Sequence, residues 1–299
     1  MDYTVKRRIY FLIFLSLLST QFGFAQTNDN KHSDSINTIF FKITSPNNHH
    51  VSYLFGTHHA FGKEFFDSLS IANQALASSE LLIKENLTIP GETAEDIINS
   101  RTEITPWKKY FSKEELAFID SLFAKSPTDY HKMTAPEMYA FLNRHFKQQV
   151  CLNKRENDTS LSLDDYIGSL AIEQKIDLLG LETTEKQITL INQDVEGMPL
   201  RTHKRRLANI IEKIKTDNLN NCEETNWYSQ MEIDYQLNTP CRNALVLTDK
   251  KNSWMKEITD SIEKKDCFIA VGLSHLMYEC GLINQLTALG YSITPIDPK

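Results

Sequence analysis

Short apolar runs alternate with amphipathic stretches along most of this 299-residue chain. Two strand-like runs on either side of a Pro-Asn-Asn turn, within residues 37–58, predict a β-hairpin. The later runs "LLI", "LLGL", "FIAV" and "YSITPI" predict four further strands. Residues 64–79 and 201–215 carry apolar side chains at helical spacing. This alternation predicts an α/β fold with a central, mainly parallel sheet flanked by helices.

One long segment breaks the alternation. From about residue 92 to 160 the pattern is helical and contains few strand-like runs. Within it, Thr134 and Glu137 have the spacing of a capping box at the start of a helix. We therefore expect one α/β domain over residues 37–299, with a helical insertion that forms a cap beside the sheet. About 260 residues suit a single large domain of this kind.

The first 25 residues have the layout of a secretory signal peptide. A basic start is followed by an apolar run too short to span a membrane comfortably, and small residues precede Gln26. An uncleaved N-terminal anchor is the alternative. Residues 26–36 are polar and predict a flexible lead-in. No later stretch reaches the apolar length of a membrane span, so the sequence predicts a periplasmic or secreted protein.

The net charge limits the classes of binding partner, and the cysteine content limits the possible disulfides and metal sites. The formal net charge of −7 makes nucleic acid an unsuitable partner. Five cysteines permit disulfides and leave an odd thiol. Cys222 and Cys241 bracket a polar loop and are the pair expected to be bridged, whereas Cys267 lies in an apolar run and should be buried. The absence of a CxxC motif argues against a zinc knuckle or a dithiol redox site.

Four apolar runs end in groups that can bind metal ions or transfer protons. These groups are His59, Glu85, Glu182 and His275. The carboxyl ends of parallel strands face a common crevice, where loops project side chains toward a ligand. Two imidazoles with one or two carboxylates predict a divalent metal site, for zinc, manganese, cobalt or iron. Such an ion lowers the pKa of a bound water and polarises a carbonyl, which suits hydrolysis.

The two histidines end the same short motif, G-x-x-H. Gly56 precedes His59 and Gly272 precedes His275 by three residues. Glycine would let the chain turn sharply off the strand, so that the imidazole points back over the sheet edge. One such motif arises easily by chance, and a single histidine after a strand is more often structural than functional. Two G-x-x-H motifs, together with acidic residues at the ends of two further apolar runs, favour a functional site over a structural role.

Several segments resemble successive signatures of the TraB/GumN family. They are "SYLFGTHHAFG", "LLIKE", "LLGLETTEKQ" and "FIAVGLSHLMYECGLINQLTALGYSITPI", and they run in the family's order from about residue 50 to 297. That family is grouped with the TIKI metalloproteases and, more remotely, with erythromycin-esterase and ChaN-type proteins. The resemblance is specific at both ends and loose in the helical insertion.

The resemblance implies roles for particular residues. His59, His275 and Glu85 correspond to the proposed metal and catalytic groups of TIKI-type members. Glu182 and Asp164 correspond to positions expected to support them. The resemblance alone implies peptide or protein substrates.

Three positions depart from the family's pattern, and one is Asn86, after Glu85, where related sequences often carry another acid a little further on. His58 fills a slot that is usually apolar or small, so it is either an additional ligand or a partner of one. Lys251 stands where the family often shows arginine. Because lysine lacks the planar fork of arginine, the contact at that position should be weaker here.

The sequence thus predicts an exported, metal-dependent hydrolase acting on peptides or proteins, with zinc, manganese or cobalt as the ion. Two alternatives stay open. One is a metal-independent, esterase-like hydrolase in which a His–Glu pair activates water, and the other is a non-catalytic protein that binds a peptide or haem. If His59 and His275 bind the ion as neutral rings, metal affinity should fall below about pH 6.

Overall fold

The computed structural model describes residues 37–154, 161–241 and 250–299, with backbone alone for 250–252. The predicted signal peptide and lead-in, residues 1–36, lie outside the described residues.

Within the described ranges, the strands form one mixed sheet of six members. They are β1 (Phe40–Thr44), β2 (Val51–Thr57), β3 (Leu81–Lys84), β4 (Asp177–Gly180), β5 (Cys267–Gly272) and β6 (Ser292–Pro295). Their order is β4-β3-β5-β2-β1-β6. The four strands from β4 to β2 are parallel, and β1 runs antiparallel to both β2 and β6. The predicted hairpin and the mainly parallel sheet are both confirmed.

Helices flank the sheet and connect its strands. They are α1 (Lys63–Asp67), α2 (Ser70–Ser78), α3 (Ala94–Ser100), α4 (Lys113–Phe123), α5 (Ala135–Phe146), α6 (Leu163–Glu173), α7 (Thr184–Gln193), α8 (Leu200–Lys215), α9 (Glu223–Gln230), α10 (Lys250–Ile262) and α11 (Leu282–Ala288). The fold is therefore α/β, as predicted. No helix in the described ranges combines the length and apolarity needed to cross a bilayer.

The stretch predicted as one helix over residues 64–79 is two helices. Helix α1 ends at Asp67 and α2 begins at Ser70. Between the two helices, the side chain of Leu69 is completely buried. Asn73 donates from its amide nitrogen to the carbonyls of Phe66 and Leu69, at 2.7 and 2.8 Å. The two carbonyls also accept from Leu69 N and Asn73 N, so the side chain of Asn73 adds a second bond to each carbonyl at the break.

Apolar side chains form two cores. The main core covers the sheet and includes side chains from all the central strands. The second core lies among the helices and combines residues of α3, α4 and α5 with Leu207, Ile210 and Ile211 of α8. The helical part is therefore built from two separate segments of the chain, one on each side of α6 and β4. The predicted capping box is confirmed, since Thr134 and Glu137 bond to each other's backbone at the start of α5.

The predicted Cys222–Cys241 pair is wrong. Disulfides join Cys151 to Cys222 and Cys241 to Cys280. Cys222 belongs to the second core, where it meets the π-helical turn that follows α5 and ends at Cys151. The chain before Cys241 runs beside the segment that leads into α11, because Glu279 N donates to Thr239 O at 3.0 Å. Cys267 is a buried free thiol, as predicted.

Candidate active site at the carboxyl edge of the sheet

Four neighbouring parallel strands end at the same edge of the sheet. Thr57 pairs with Gly272 at the ends of β2 and β5, and Lys84 pairs with Gly180 at the ends of β3 and β4. Beyond β3 and β4 the pairing continues, since Glu182 N donates to Glu85 O at 2.8 Å. The segments that carry His59, Glu85, Glu182 and His275 therefore leave the sheet side by side.

His59 is held by Asp164, the second residue of α6. The start of α6 is tied to the segment after His59 because Leu163 N donates to Phe61 O at 2.8 Å. His59 Nδ1 lies 2.6 Å from Asp164 Oδ2. Thr57 donates its hydroxyl to the other oxygen of the same carboxylate. The His59 side chain is 59% exposed, so Asp164 fixes one ring nitrogen while much of the ring stays accessible to a ligand.

The charges of this pair shift both pKa values. The Asp164 carboxylate raises the pKa of His59 from 6.5 to about 9. Burial favours a higher pKa for Asp164, but the His59 charge and its hydrogen bond outweigh burial and hold that pKa below its usual value. Both shifts favour an imidazolium on His59 beside the Asp164 carboxylate at neutral pH.

Glu85 and His275 form a second pair on the neighbouring strands. Gly272 N donates to Glu85 Oε1 at 2.6 Å, and His275 Nε2 lies 3.3 Å from the same oxygen. Gln187 donates from Nε2 to Glu85 Oε2 at 3.2 Å. The His275 ring is buried against Trp254, with 4.6 Å between the ring centroids. Both oxygens of Glu85 thus have fixed donors, which hold the carboxylate against His275.

The two motif glycines act by close packing and not by the predicted sharp turn. Gly272 has a φ of −54°, which any residue adopts, and Gly56 is not among the glycines with positive φ. A β-carbon built at Gly272 would lie 2.9 Å from Glu85 Oε1, and one at Gly56 would lie 2.6 Å from Leu273 Cδ1. Gly272 therefore leaves the space that the Glu85 carboxylate occupies.

The predicted supporting residues have different positions. His58 is buried and turns away from His59, since its Nε2 lies 3.1 Å from Glu224 Oε1. Glu182 is buried where β4 ends, beside the backbone of Glu85. Lys251 lies in α10, and its side chain is outside the described residues.

The predicted ligands are arranged as two pairs and not as one compact cluster. In the part of the chain that the structure describes, the group whose ligand atoms all lie within 4.8 Å of one another is His50, Glu80 and Asp266. These three residues precede β2, β3 and β5 and so lie at the opposite edge of the sheet. Their carboxylates accept backbone bonds, from Val51 N to Asp266 Oδ1 and from Asp266 N to Glu80 Oε2. This group ties the starts of the strands together.

Three contacts of the site were not predicted. Gln187 binds Glu85, Trp254 packs on His275, and Glu224 binds His58. Gln187 is the last residue of the "LLGLETTEKQ" segment, so its place in that segment was an available signal. Glu224 lies in α9, where nothing in the local pattern indicates that the helix reaches β2.

Comparison with known proteins gives one match. Searches of curated proteins and of solved structures found no match. The model of the TraB/PrgY/gumN family matches residues 39–295, which include all six strands and both G-x-x-H motifs. The resemblance inferred from the separate motifs is confirmed over most of the chain. The protein belongs to the TraB/PrgY/gumN family.

Proposed function

We propose that this protein is a metal-dependent hydrolase whose reaction takes place at the carboxyl edge of the sheet. The observation that carries the proposal is the pairing of two imidazoles with two carboxylates there, from four separate segments of the chain. His59 meets Asp164 at 2.6 Å, and His275 meets Glu85 at 3.3 Å. Imidazole and carboxylate are the donor types that zinc, manganese and cobalt sites use, so the residues fit such an ion in kind.

Each residue has a role in this proposal. His59, Glu85 and His275 would hold the ion. Asp164 orients His59 by binding Nδ1, which leaves Nε2 for a ligand; carboxylates commonly fix metal-binding histidines in this way. When bound, a divalent ion lowers the pKa of water and polarises a carbonyl. Glu85, already aligned by Gly272 N and Gln187, is the group placed to take a proton from the attacking water.

Peptide or protein substrates and export to the periplasm or medium are parts of the same proposal. Family membership supports the substrate class only by analogy, since one fold hosts several activities. The two disulfides are compatible with an oxidising compartment outside the cytosol.

Metal content tests the proposal directly. Residues 26–299 would be purified, incubated with zinc, manganese or cobalt, dialysed and examined by elemental analysis. His59→Ala and His275→Ala variants would be treated in parallel, with His49→Ala as a control at an exposed histidine outside the site. We expect about one ion per chain in the parent and in the control, and loss of the ion in both site variants.

The opposite result has a clear meaning. A parent that holds no ion after all three incubations would rule out the metal-dependent reaction. An ion retained in both site variants would show that it binds elsewhere, and the group of His50, Glu80 and Asp266 would be the next place to examine.

A metal-independent hydrolase is the second candidate, and one contact favours it. The 2.6 Å contact between Asp164 and His59 Nδ1 is also the arrangement by which a carboxylate orients a catalytic histidine. Peptidase activity that persists after exhaustive chelation, and that is lost in Asp164→Asn, would select this candidate over the metal-dependent one.

A further inference from the structure

Helix α9 connects the two cores beside the candidate site. Cys222, immediately before α9, belongs to the second core and is bonded to Cys151. Tyr228, in the same helix, is fully buried in the main core. One short helix is therefore fixed at its start to the helical part and packed through its middle against the sheet.

Tyr228 packs against the end of β2 and the loop that follows. Its hydroxyl donates to Gly56 O at 2.8 Å. Its ring centroid lies 4.7 Å from that of Phe61 and 5.1 Å from that of His58. Burial keeps the pKa of Tyr228 well above its ordinary value, so the phenol remains a donor. Tyr228 thus contacts the loop on both sides of His59.

Glu224 fixes the residue immediately before His59. Ala60 N donates to His58 Nδ1 at 3.2 Å, which makes Nδ1 the acceptor and leaves Nε2–H to donate to Glu224 Oε1 at 3.1 Å. Lys147, in the turn that ends at the disulfide, donates to Glu224 Oε2 at 2.7 Å. Both oxygens of Glu224 are therefore engaged, one by the loop and one by the helical part.

These contacts leave the backbone around His59 little freedom. Thr57 is bonded to Asp164, His58 is bonded to Glu224, and Ala60 is bonded to the His58 ring. His59 is the one exposed side chain in this run of buried residues. A ligand at this position gains affinity when its backbone is already ordered, because ordering a loop on binding costs conformational entropy.

We propose that α9 is the element that positions His59, with Glu224 and Tyr228 as positioning residues for the metal. This role rests on the proposed function, because it assumes that His59 is a ligand. In this proposal His58 links α9 to His59, the next residue in the chain, and does not itself bind the ion.

Glu224→Ala tests the proposal, with Glu223→Ala as a matched control. Glu223 is the adjacent acid of the same helix and is exposed. The dissociation constant of zinc, manganese or cobalt would be measured by competition with a chelator, and amide hydrogen exchange would be followed at residues 57–60. We expect Glu224→Ala to bind the ion about tenfold more weakly and to exchange faster at these amides, and Glu223→Ala to match the parent.

Two conservative variants separate positioning from general stability. Glu224→Gln keeps an acceptor for His58 Nε2–H and should restore most of the affinity. Tyr228→Phe keeps the buried ring and removes the donor to Gly56 O, so exchange at residues 56 and 57 should rise. A variant that is only less stable would have a lower unfolding temperature. It would not show restored metal affinity in Glu224→Gln together with faster exchange confined to residues 56 and 57 in Tyr228→Phe.

The failures of the two proposals are distinguishable. If the parent binds the ion and Glu224→Ala matches Glu223→Ala in affinity, α9 does not position His59, whatever the exchange rates are. If the parent binds no ion, the proposed function fails, and exchange alone decides whether α9 orders the loop. Equal exchange in the two alanine variants would then overturn this inference as well.

Discussion

At the scale of single residues, the contact between His59 and Asp164 controls the charge of the site. The raised pKa of His59 means that the folded protein binds this proton more tightly than the unfolded chain does. The resulting stabilisation is fully present below pH 6.5 and is lost as the pH rises through about 9. For Asp164, whose pKa is lowered from 3.8, stabilisation is present above that value and is lost on further acidification. The pair is therefore ionic across the neutral range.

Asp164→Asn should change the titration of His59. In the metal-free protein we expect the pKa of His59 to fall from about 9 toward 6.5, because the carboxylate is the largest cause of the shift. The C–H signals of the His59 ring, followed by NMR as a function of pH, provide the measurement. His59→Ala identifies the signal. An unchanged titration in Asp164→Asn would remove Asp164 as the source of the shift.

This charge also alters the expected pH dependence of metal binding. The sequence predicted that affinity falls below about pH 6, from the ordinary pKa of histidine. With a pKa of about 9, a proton on His59 competes with the ion at all lower pH values, so the decline should begin near pH 9. The sequence did not indicate this because His59 and Asp164 are far apart in the chain and meet only in the fold.

At the scale of elements, the junction of β2 and β5 sets the geometry of the site. Residues after the two strand ends face each other because Thr57 and Gly272 are paired. Strand ends and helices were predictable, because apolar runs and helical periodicity are local signals. The roles of the glycines were not, because they depend on atoms that other strands bring close. The break between α1 and α2 was also missed, because Ile71 N and Ala72 N at the start of α2 donate to Pro298 O, which is distant in the sequence.

Gly272→Ala should damage the site more than the fold. Its β-carbon would lie 2.9 Å from Glu85 Oε1, so the carboxylate has to move away from Gly272 N and His275. We expect loss of metal binding, with a destabilisation of about 1–3 kcal/mol measured by chemical denaturation.

Gly56→Ala is the matched comparison for this prediction. There the β-carbon meets Leu273 Cδ1, an apolar side-chain atom, and not Glu85. Stability should fall to a similar extent while metal binding is better retained. Equal loss of metal binding in the two variants would contradict a specific role for Gly272.

At the scale of the whole molecule, two disulfides join distant parts of the chain. They link residues 71 and 39 positions apart. The predicted pair was wrong because spacing across a polar loop says nothing about which core each cysteine joins. Cys222 faces the second core, and that core draws on two segments separated by α6 and β4. Sequence periodicity identifies such helices but not how they assemble.

Removing either disulfide should reduce stability by a similar amount, but only one should affect the site. For loops of these lengths the chain-entropy relation gives about 4 kcal/mol each, measured by denaturant unfolding. Exchange at residues 57–60 should rise when Cys151 and Cys222 are both replaced by serine, and not when Cys241 and Cys280 are replaced. A rise of the same size in both double variants would indicate general loosening.

The place of β5 in the sheet has a consequence for synthesis. β5 lies between β3 and β2, although it follows both of them in the sequence. A nascent chain that has not yet reached Cys267 carries two apolar strands with open edges and no His275. Such edges pair readily with other chains, so these intermediates should depend on chaperones that hold them apart. The candidate site is therefore incomplete until His275 has been made.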